Sequence, residues 1–439
     1  MEYNEKVMEL LEKRLTRQLA SYLHVCAHCG ACSESCHYYT SIGDPDMVPP
    51  YKTDFLRKIY KGKYDLLGSR IPGWFGAVKH VDEDMLKEMV NHAYGACTMC
   101  RRCTVNCPMG IDTGMIIRTT RAILTELGMT PAGLRATIDV HHESGNNMAV
   151  TKEDLIDTLE WMEEELQEDL NDPTAKIPYD KQGVRMIYTV NPREAKYSPL
   201  SIKAAAKIFH AAGESWAIST DSWDVTNYAL FSGEDAKAKK NAGELLEAAR
   251  KLGAEEVIMA ECGHGYRSFR WEGENWLQQN YGLRVRGFVE LIAEYIRDGR
   301  ITLDPSKHQE LVTYHDPCNQ ARNGGVVDEP RYILSKAVAN FKEMTPSGKE
   351  NFCCGAGSGM LTMSEFKDRR LAASKTKAEQ ITATGAKVVA TSCHNCLDGL
   401  HEGCKHYNVD VHIHNLVTIV ADALVMPEKK SPEKTTEEE

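Results

Sequence analysis

Apolar positions along this chain recur with two different periods, and the change of period divides it. Over residues 6–23 apolar side chains return every three to four positions, which predicts a leading amphipathic helix. The same spacing over 82–92 and 115–127 predicts two more helices, the second closing the N-terminal part. Residues 151–169 are helical in pattern but dominated by acid (Glu-Asp-Leu-Ile-Asp-Thr-Leu-Glu-Trp-Met-Glu-Glu-Glu), so a solvated linker or docking face is expected. Beyond residue 183 short apolar runs take over, at 184–190, 256–259, 311–314 and 387–390. They alternate with helical stretches at 200–212, 236–252, 288–298, 330–337 and 365–384, the texture of βα units. An apolar run at 416–426, interrupted by Asp422, predicts a core helix, and the charged residues 427–439 predict a disordered tail.

The βα part is a degenerate repeat. Gly253-Ala-Glu-Glu-Val-Ile-Met-Ala-Glu-Cys262 matches Gly385-Ala-Lys-Val-Val-Ala-Thr-Ser-Cys393 with one inserted residue, and Cys262-Gly-His-Gly265 then stands where Cys393-His-Asn-Cys396 stands. Upstream, Ile187-Tyr-Thr-Val-Asn191 occupies the place of Thr313-Tyr-His-Asp-Pro-Cys318, and Ser219-Thr220 falls where the second half has adjacent cysteines. The first half keeps the fold and one cysteine.

Composition narrows the function. At 439 residues the chain can hold two or three domains with real cores. Its net charge of −11, from 52 basic and 63 acidic residues, argues against a nucleic-acid surface. No apolar run reaches eighteen residues and the charged N-terminus shows no secretory signal, so a soluble chain, able to dock on a membrane partner, is expected. Fifteen clustered cysteines suit a reducing compartment, where thiolates bind metal instead of pairing.

Two cysteine runs share one spacing. Cys26-x2-Cys29-x2-Cys32-x3-Cys36 is repeated as Cys97-x2-Cys100-x2-Cys103-x3-Cys107-Pro108. Three cysteines at two-residue gaps hold a [4Fe-4S] cubane, and in two-cluster ferredoxins the fourth ligates the other cluster. Cys26, Cys29, Cys32 and Cys107 are therefore assigned to one cubane, and Cys97, Cys100, Cys103 and Cys36 to the other. His37 follows Cys36 where the pattern usually has proline.

A third set runs C-x34-CC-x38-C-x2-C: Cys318, Cys353, Cys354, Cys393 and Cys396. Five thiols exceed what a cubane or a zinc ion needs, so an unusual iron–sulfur centre is the simplest reading, with a zinc site plus free thiols as the alternative. Gly355, Gly357 and Gly359 suit close approach of backbone N–H groups to it. His315, Asp316, His394 and Asn395 fall near it by adjacency. Cys262 and His264, from the matching loop, are candidates for the same cleft, with His264 a candidate proton donor of near-neutral pKa. Cys404 fits no spacing and reads as a buried free thiol.

The third set resembles the cysteine-rich CCG domain of heterodisulfide reductases, and the spacer between the two cubane motifs resembles their helical ferredoxin domains. With Glu261-Cys-Gly-His-Gly-Tyr-Arg-Ser-Phe269 in the stripped half, the chain as a whole is similar to the D-type subunits of heterodisulfide reductases, and more narrowly to the K subunit of the sulfite-reductase-associated membrane complex or the B subunit of the Tmc complex. The resemblance implies a non-cubane [4Fe-4S] cluster that cleaves a disulfide. It also implies a membrane haem-b subunit as partner, a small DsrC-like carrier protein as disulfide or trisulfide substrate, and attachment to the cytoplasmic face of the membrane. The expected fold is α plus α/β: an all-helical two-cluster ferredoxin domain (1–135), an acidic helical linker (136–182), a degenerate first CCG half (183–310), an intact CCG half (311–426) and the tail (427–439). Two other readings stay open: the iron–sulfur subunit of a flavin-dependent hydroxy-acid dehydrogenase or quinone-linked reductase, and a pure electron relay.

Overall fold

A computed structural model describes residues 2–426; the tail expected over 427–439 lies outside them. The chain folds as a helical N-terminal region followed by a region built on two four-stranded parallel sheets.

The leading segment is two helices, Glu2–Arg14 and Arg17–Val25, where periodicity predicts one. The break falls at Thr16, whose hydroxyl accepts from the backbone N–H of Leu19 at 3.1 Å and starts the second helix. Helices Pro49–Tyr64, Glu83–Ala93 and Thr113–Glu126 follow, and Leu56, Leu86, Met89, Ile116 and Ile123 close their shared core. The acidic helix Lys152–Leu170 is no free linker. Leu155, Leu159, Met162 and Leu166, spaced along one stripe, pack in the core of the first half, while the acids face outward.

The two halves carry the same sheet twice. Strands β1 (Met186–Tyr188), β2 (Trp216–Ala217), β3 (Glu256–Met259) and β4 (Arg284–Gly287) lie in the order β2-β1-β3-β4, all parallel. Strands β5 (Leu311–His315), β6 (Asn340–Phe341), β7 (Val388–Thr391) and β8 (His412–Asn415) lie in the order β6-β5-β7-β8, again parallel. The register sets Ile187 beside Val257 and Val312 beside Val388. Identical order puts the loops after β3 and β7, Cys262–Gly265 and Cys393–Cys396, at equivalent sheet ends. In such sheets the carboxyl ends of the strands are where ligands sit. The helix predicted over 365–384 is split into Lys367–Ala372 and Lys375–Thr384, and 416–426 forms the helix Leu416–Ala423 before the two-residue strand Leu424–Val425.

Candidate metal centres

Each ferredoxin-type loop is shaped by left-handed residues at matching places. Between the first and second cysteines stand His28 (φ 54°) and Met99 (φ 49°), and between the second and third Gly30 (φ 78°) and Arg101 (φ 62°). Three of these four are not glycine, so a strained conformation recurs at the same places in two loops, and in the second Met99 N–H donates to Cys97 Sγ at 3.4 Å. The last cysteine of each loop lies near thiols of the other. Burial pushes the Cys32 thiol up to about 11, with Cys107, Cys26 and Cys29 close enough to add to it. Burial likewise raises Cys103, with Cys100, Cys36 and Cys97 as its thiol neighbours. A small cavity of about 30 Å³ is lined by Cys36, Cys97, Cys100 and Cys103 together with Lys52, whose ammonium donates to Cys36 Sγ at 3.3 Å and to the Ala96 carbonyl at 2.6 Å.

The five thiols of the CCG half converge at the carboxyl ends of β5 and β7. Cys354 Sγ and Cys396 Sγ lie 3.3 Å apart, and Cys353, Cys354, Cys393 and Cys396 are buried while Cys318 is half-buried. Backbone donors point at sulfur as the glycine run anticipates: Gly355 N–H donates to Cys353 Sγ at 3.3 Å, with Gly355 at φ 85°. From the first half, Gly263 N–H faces Cys393 Sγ at 3.5 Å. Charge in this group is divided unevenly. Hydrogen bonds from Cys100 and Cys318 pull Cys353 down, those from Cys353 and Cys396 pull Cys354 further down, and the bond from Cys396 takes Cys393 to about 6. Cys318 and Cys396 are pushed up by the same bonds. So many acidic thiols in one dry site cannot all ionise without cations among them, and the donor set therefore fits a bound iron–sulfur group.

Two sets meet at one contact. Cys100, of the second cysteine loop, lies against Cys353, and His37 shares that contact: ligand atoms of His37, Cys100 and Cys353 lie within 4.8 Å of one another. Three arginines hold the seam. Arg322 donates to the carbonyl of Cys100 (2.8 Å) and also to that of Asn351; Arg102 reaches the carbonyls of Glu350 (2.6 Å) and Glu34 (3.2 Å). Arg121, fully buried, spreads over the carbonyls of Ala93, Phe231, Ser358 and Cys97 at 2.7–3.1 Å.

Asn351 fixes the groups on the far side of the thiols. Its Oδ1 accepts from Lys377 Nζ at 2.5 Å, so its Nδ2 donates to the Asp316 carbonyl (3.1 Å) and to His315 Nδ1 (3.2 Å). His315 is neutral, burial holding its pKa well down, and the bond to Nδ1 leaves the proton on Nε2. Among the described residues that nitrogen has no hydrogen-bond partner, and His315 groups with Cys354 and Cys396. Lys377, 3 % exposed, is drawn down to about 7 by burial, with Asp316, Cys354, Cys353 and Cys396 pulling it back up. Adjacency in the sequence finds His315. Nothing in the sequence points to Lys377, 19 residues after Ser358, because only the fold brings it to the sulfurs.

Of the candidates from the stripped half, Cys262 is buried and lies beside Cys393. His264 is buried there too, but not with a near-neutral pKa: burial and the Arg267 charge lower it to about 3. Its Nε2 accepts from Ser358 N–H at 3.1 Å, its Nδ1 pairs with the Asn395 amide at 3.0 Å, and Phe231 and Tyr228 enclose the ring. It is a neutral brace under the glycine run. His394 turns away to Glu194 Oε1 at 3.2 Å, so its side chain ties the halves together. Ser219 and Thr220 hold no metal position; Thr220 N–H donates to Asp180 at 2.8 Å. Cys404 is a buried thiol raised to about 11 by burial.

Parts of this chain match known families. Residues 22–111 match the 4Fe-4S dicluster domain family and residues 312–416 the cysteine-rich CCG domain family. The Hdr-like menaquinol oxidoreductase iron–sulfur subunit 2 of Archaeoglobus fulgidus is 26% identical, over 96% of this chain and 83% of its own. The D-type subunit of dihydromethanophenazine:CoB–CoM heterodisulfide reductase from Methanosarcina mazei is 27% identical, over 97% of this chain and all of its own. The EtfAB:quinone oxidoreductase of Syntrophomonas wolfei is 24% identical over 87% of this chain, which spans 55% of that protein. Over nearly its whole length the chain is thus similar to D-type heterodisulfide reductase subunits and to Hdr-like menaquinol oxidoreductase iron–sulfur subunits, and it carries a 4Fe-4S dicluster domain followed by a CCG domain.

Proposed function

We propose that this subunit passes electrons inward through two cubane [4Fe-4S] clusters to a non-cubane [4Fe-4S] centre held by Cys318, Cys353, Cys354, Cys393 and Cys396, and that this centre reduces a sulfur–sulfur bond. The observation that carries the reading is the Cys100–Cys353 contact, which joins an electron-transfer ligand set to five further converging thiols. When bound, the clusters supply electrons one at a time and an iron able to take a substrate sulfur. The balance is RS–SR′ plus two electrons and two protons giving RSH and R′SH. The residues of this chain handle a proton and the water. The Lys377 ammonium is the buried acid on the side of Cys354 and Cys396 and gives one proton, the second coming from solvent as the products leave; neutral His315 presents Nε2–H as a hydrogen-bond donor to a thiolate there, and Asn351 holds both side chains in place. Burial of four of the five cysteines keeps water from the reacting sulfurs.

The similarity to Hdr-like menaquinol oxidoreductase subunits supports a membrane partner as electron source, here a haem-b subunit holding this chain at the cytoplasmic face. Among the described residues no helix is long and apolar enough to cross a membrane. The substrate we favour is the disulfide or trisulfide of a DsrC-like carrier protein, in the manner of the K subunit of the sulfite-reductase-associated complex or its Tmc counterpart. The test is oxidation of reduced viologen by the carrier disulfide, with wild type and Cys354→Ser. Loss of turnover with both cubanes still reducible is expected; equal rates would leave a pure relay. The likeness to a flavoprotein:quinone oxidoreductase favours a second reading, a quinone-linked reductase. Activity with electron-transfer flavoprotein and quinone, and none with disulfides, selects it.

A further inference from the structure

The segment joining the two cysteine loops contains a turn that is firmly built and yet points its apolar side chains outward. Leu66, Leu67, Ile71, Trp74 and Phe75 are 67, 46, 52, 89 and 40 % exposed. Their backbone is not loose. Asp65 Oδ1 accepts from the N–H groups of Leu67 (3.0 Å) and Gly68 (2.6 Å), and Ile71 N–H donates to the Leu67 carbonyl at 2.8 Å. Ala77 N–H donates to the Pro72 carbonyl at 2.9 Å, and Val78 N–H to the Lys58 carbonyl at 3.0 Å, closing the turn on the helix Pro49–Tyr64. A Cβ on Gly62 would stand 2.0 Å from the Val78 carbonyl oxygen, so glycine there is what lets the base close. An ordered turn that exposes five large apolar residues within ten positions is a contact surface.

Charge and place identify what it contacts. Residues 58–79 hold Lys58, Lys61, Lys63, Arg70 and Lys79 against the single acid Asp65, in a chain whose net charge is −11; Lys63 is paired with Glu12, which leaves Lys58, Lys61, Arg70 and Lys79 as the basic rim. Tryptophan at the tip with a basic rim is the chemistry of a lipid headgroup boundary, where the ring sits at the interface and cations meet anionic headgroups. The turn also borders the outermost thiols. Asp65 lies close to His24, two residues before Cys26, and Arg57 of the same helix donates to the Leu23 carbonyl (3.1 Å) and contacts His28 (2.8 Å) inside the first cysteine loop, whose Cys29 is exposed.

We propose that residues 65–78 form a membrane-interface anchor that seats directly in an anionic lipid surface and presents the Cys26–Cys32 loop toward it. The inference is independent of the sulfur chemistry, because its readout is lipid binding. The cluster-loaded protein is sedimented with phosphatidylcholine vesicles and with vesicles in which part of the lipid is phosphatidylglycerol. Binding to the anionic vesicles is expected, together with quenching by brominated acyl chains of the emission that Trp74→Phe removes. Trp74→Ser is expected to weaken binding about 10-fold or more, and Lys61→Gln with Lys79→Gln about 10- to 30-fold, at unchanged iron content. If Trp74→Ser loses iron, the lysine pair and the quenching decide alone. No binding to anionic vesicles overturns the proposal, as does binding without quenching, or binding only to vesicles that carry an integral partner subunit, which assigns the turn to a protein contact.

Discussion

Replacing Lys377 by methionine removes a buried positive charge from the edge of the five-thiol site and should lower its reduction potential. The ammonium has one neutral acceptor, Asn351 Oδ1 at 2.5 Å, and the Met344 sulfur at 3.6 Å. The neighbouring carboxylate, Asp316, is held instead by Arg331 through two bonds of 2.7 and 2.9 Å and by Gly348 N–H at 2.7 Å. The lysine's field therefore falls on Cys354, Cys353 and Cys396. A unit charge is worth about 4 kcal/mol at ~4 Å with an effective dielectric of ~20, and about half that at twice the distance. For one electron, ~2–4 kcal/mol corresponds to roughly 90–170 mV. Reduction adds negative charge, so the potential falls when the cation goes. It also falls in wild type as pH rises and the ammonium deprotonates, because burial draws this group's pKa down to about 7 against the upward pull of Asp316 and the thiolates. In Lys377→Met that pH slope should be absent. Dye-mediated titration followed by paramagnetic resonance measures both. An unchanged potential in a variant with full iron content would refute the reasoning.

Iron analysis of anaerobically purified protein should give about twelve irons per chain, four for each cysteine set; a value near eight would remove the non-cubane centre. Cys107→Ala should damage the cluster of Cys26, Cys29 and Cys32, and paramagnetic resonance showing loss confined to the cluster of Cys97, Cys100 and Cys103 would mean that the ligands do not cross. His264→Gln should slow disulfide turnover by disturbing the Ser358 backbone while leaving the shape of the pH–rate profile unchanged. A profile that loses one limb in that variant would make His264 a proton carrier after all.

The candidate cysteine sets were legible because ligation constrains local spacing: three cysteines at two-residue gaps leave little freedom. The repeat was legible because the strand sequences around Val257 and Val389 carry the same apolar signature into the same turn. Strands β2 and β6 could not be read, since two residues each give no period to detect. The stripe Leu155, Leu159, Met162, Leu166 was present in the sequence but outweighed there by acids, and its burial depends on a sheet encoded later in the chain. For His264, proximity to the thiols followed from the repeat, but its protonation did not. That depends on Arg267 and on how dry the loop becomes once Phe231 and Tyr228 close over it. Lys377 and Asn351 belong to the same class, joined by a fold and by no motif.

Arg322, Arg102 and Arg121 stitch the second cysteine loop to the CCG half through backbone carbonyls, which cannot be moved by rotating a side chain. An electron crossing from one set to the other therefore needs no swinging arm, unlike transfer by a mobile carrier domain that shuttles between docking stations. Intramolecular transfer in this chain should be insensitive to solvent viscosity, and any viscosity dependence of turnover belongs to the arrival and departure of partners at its surface.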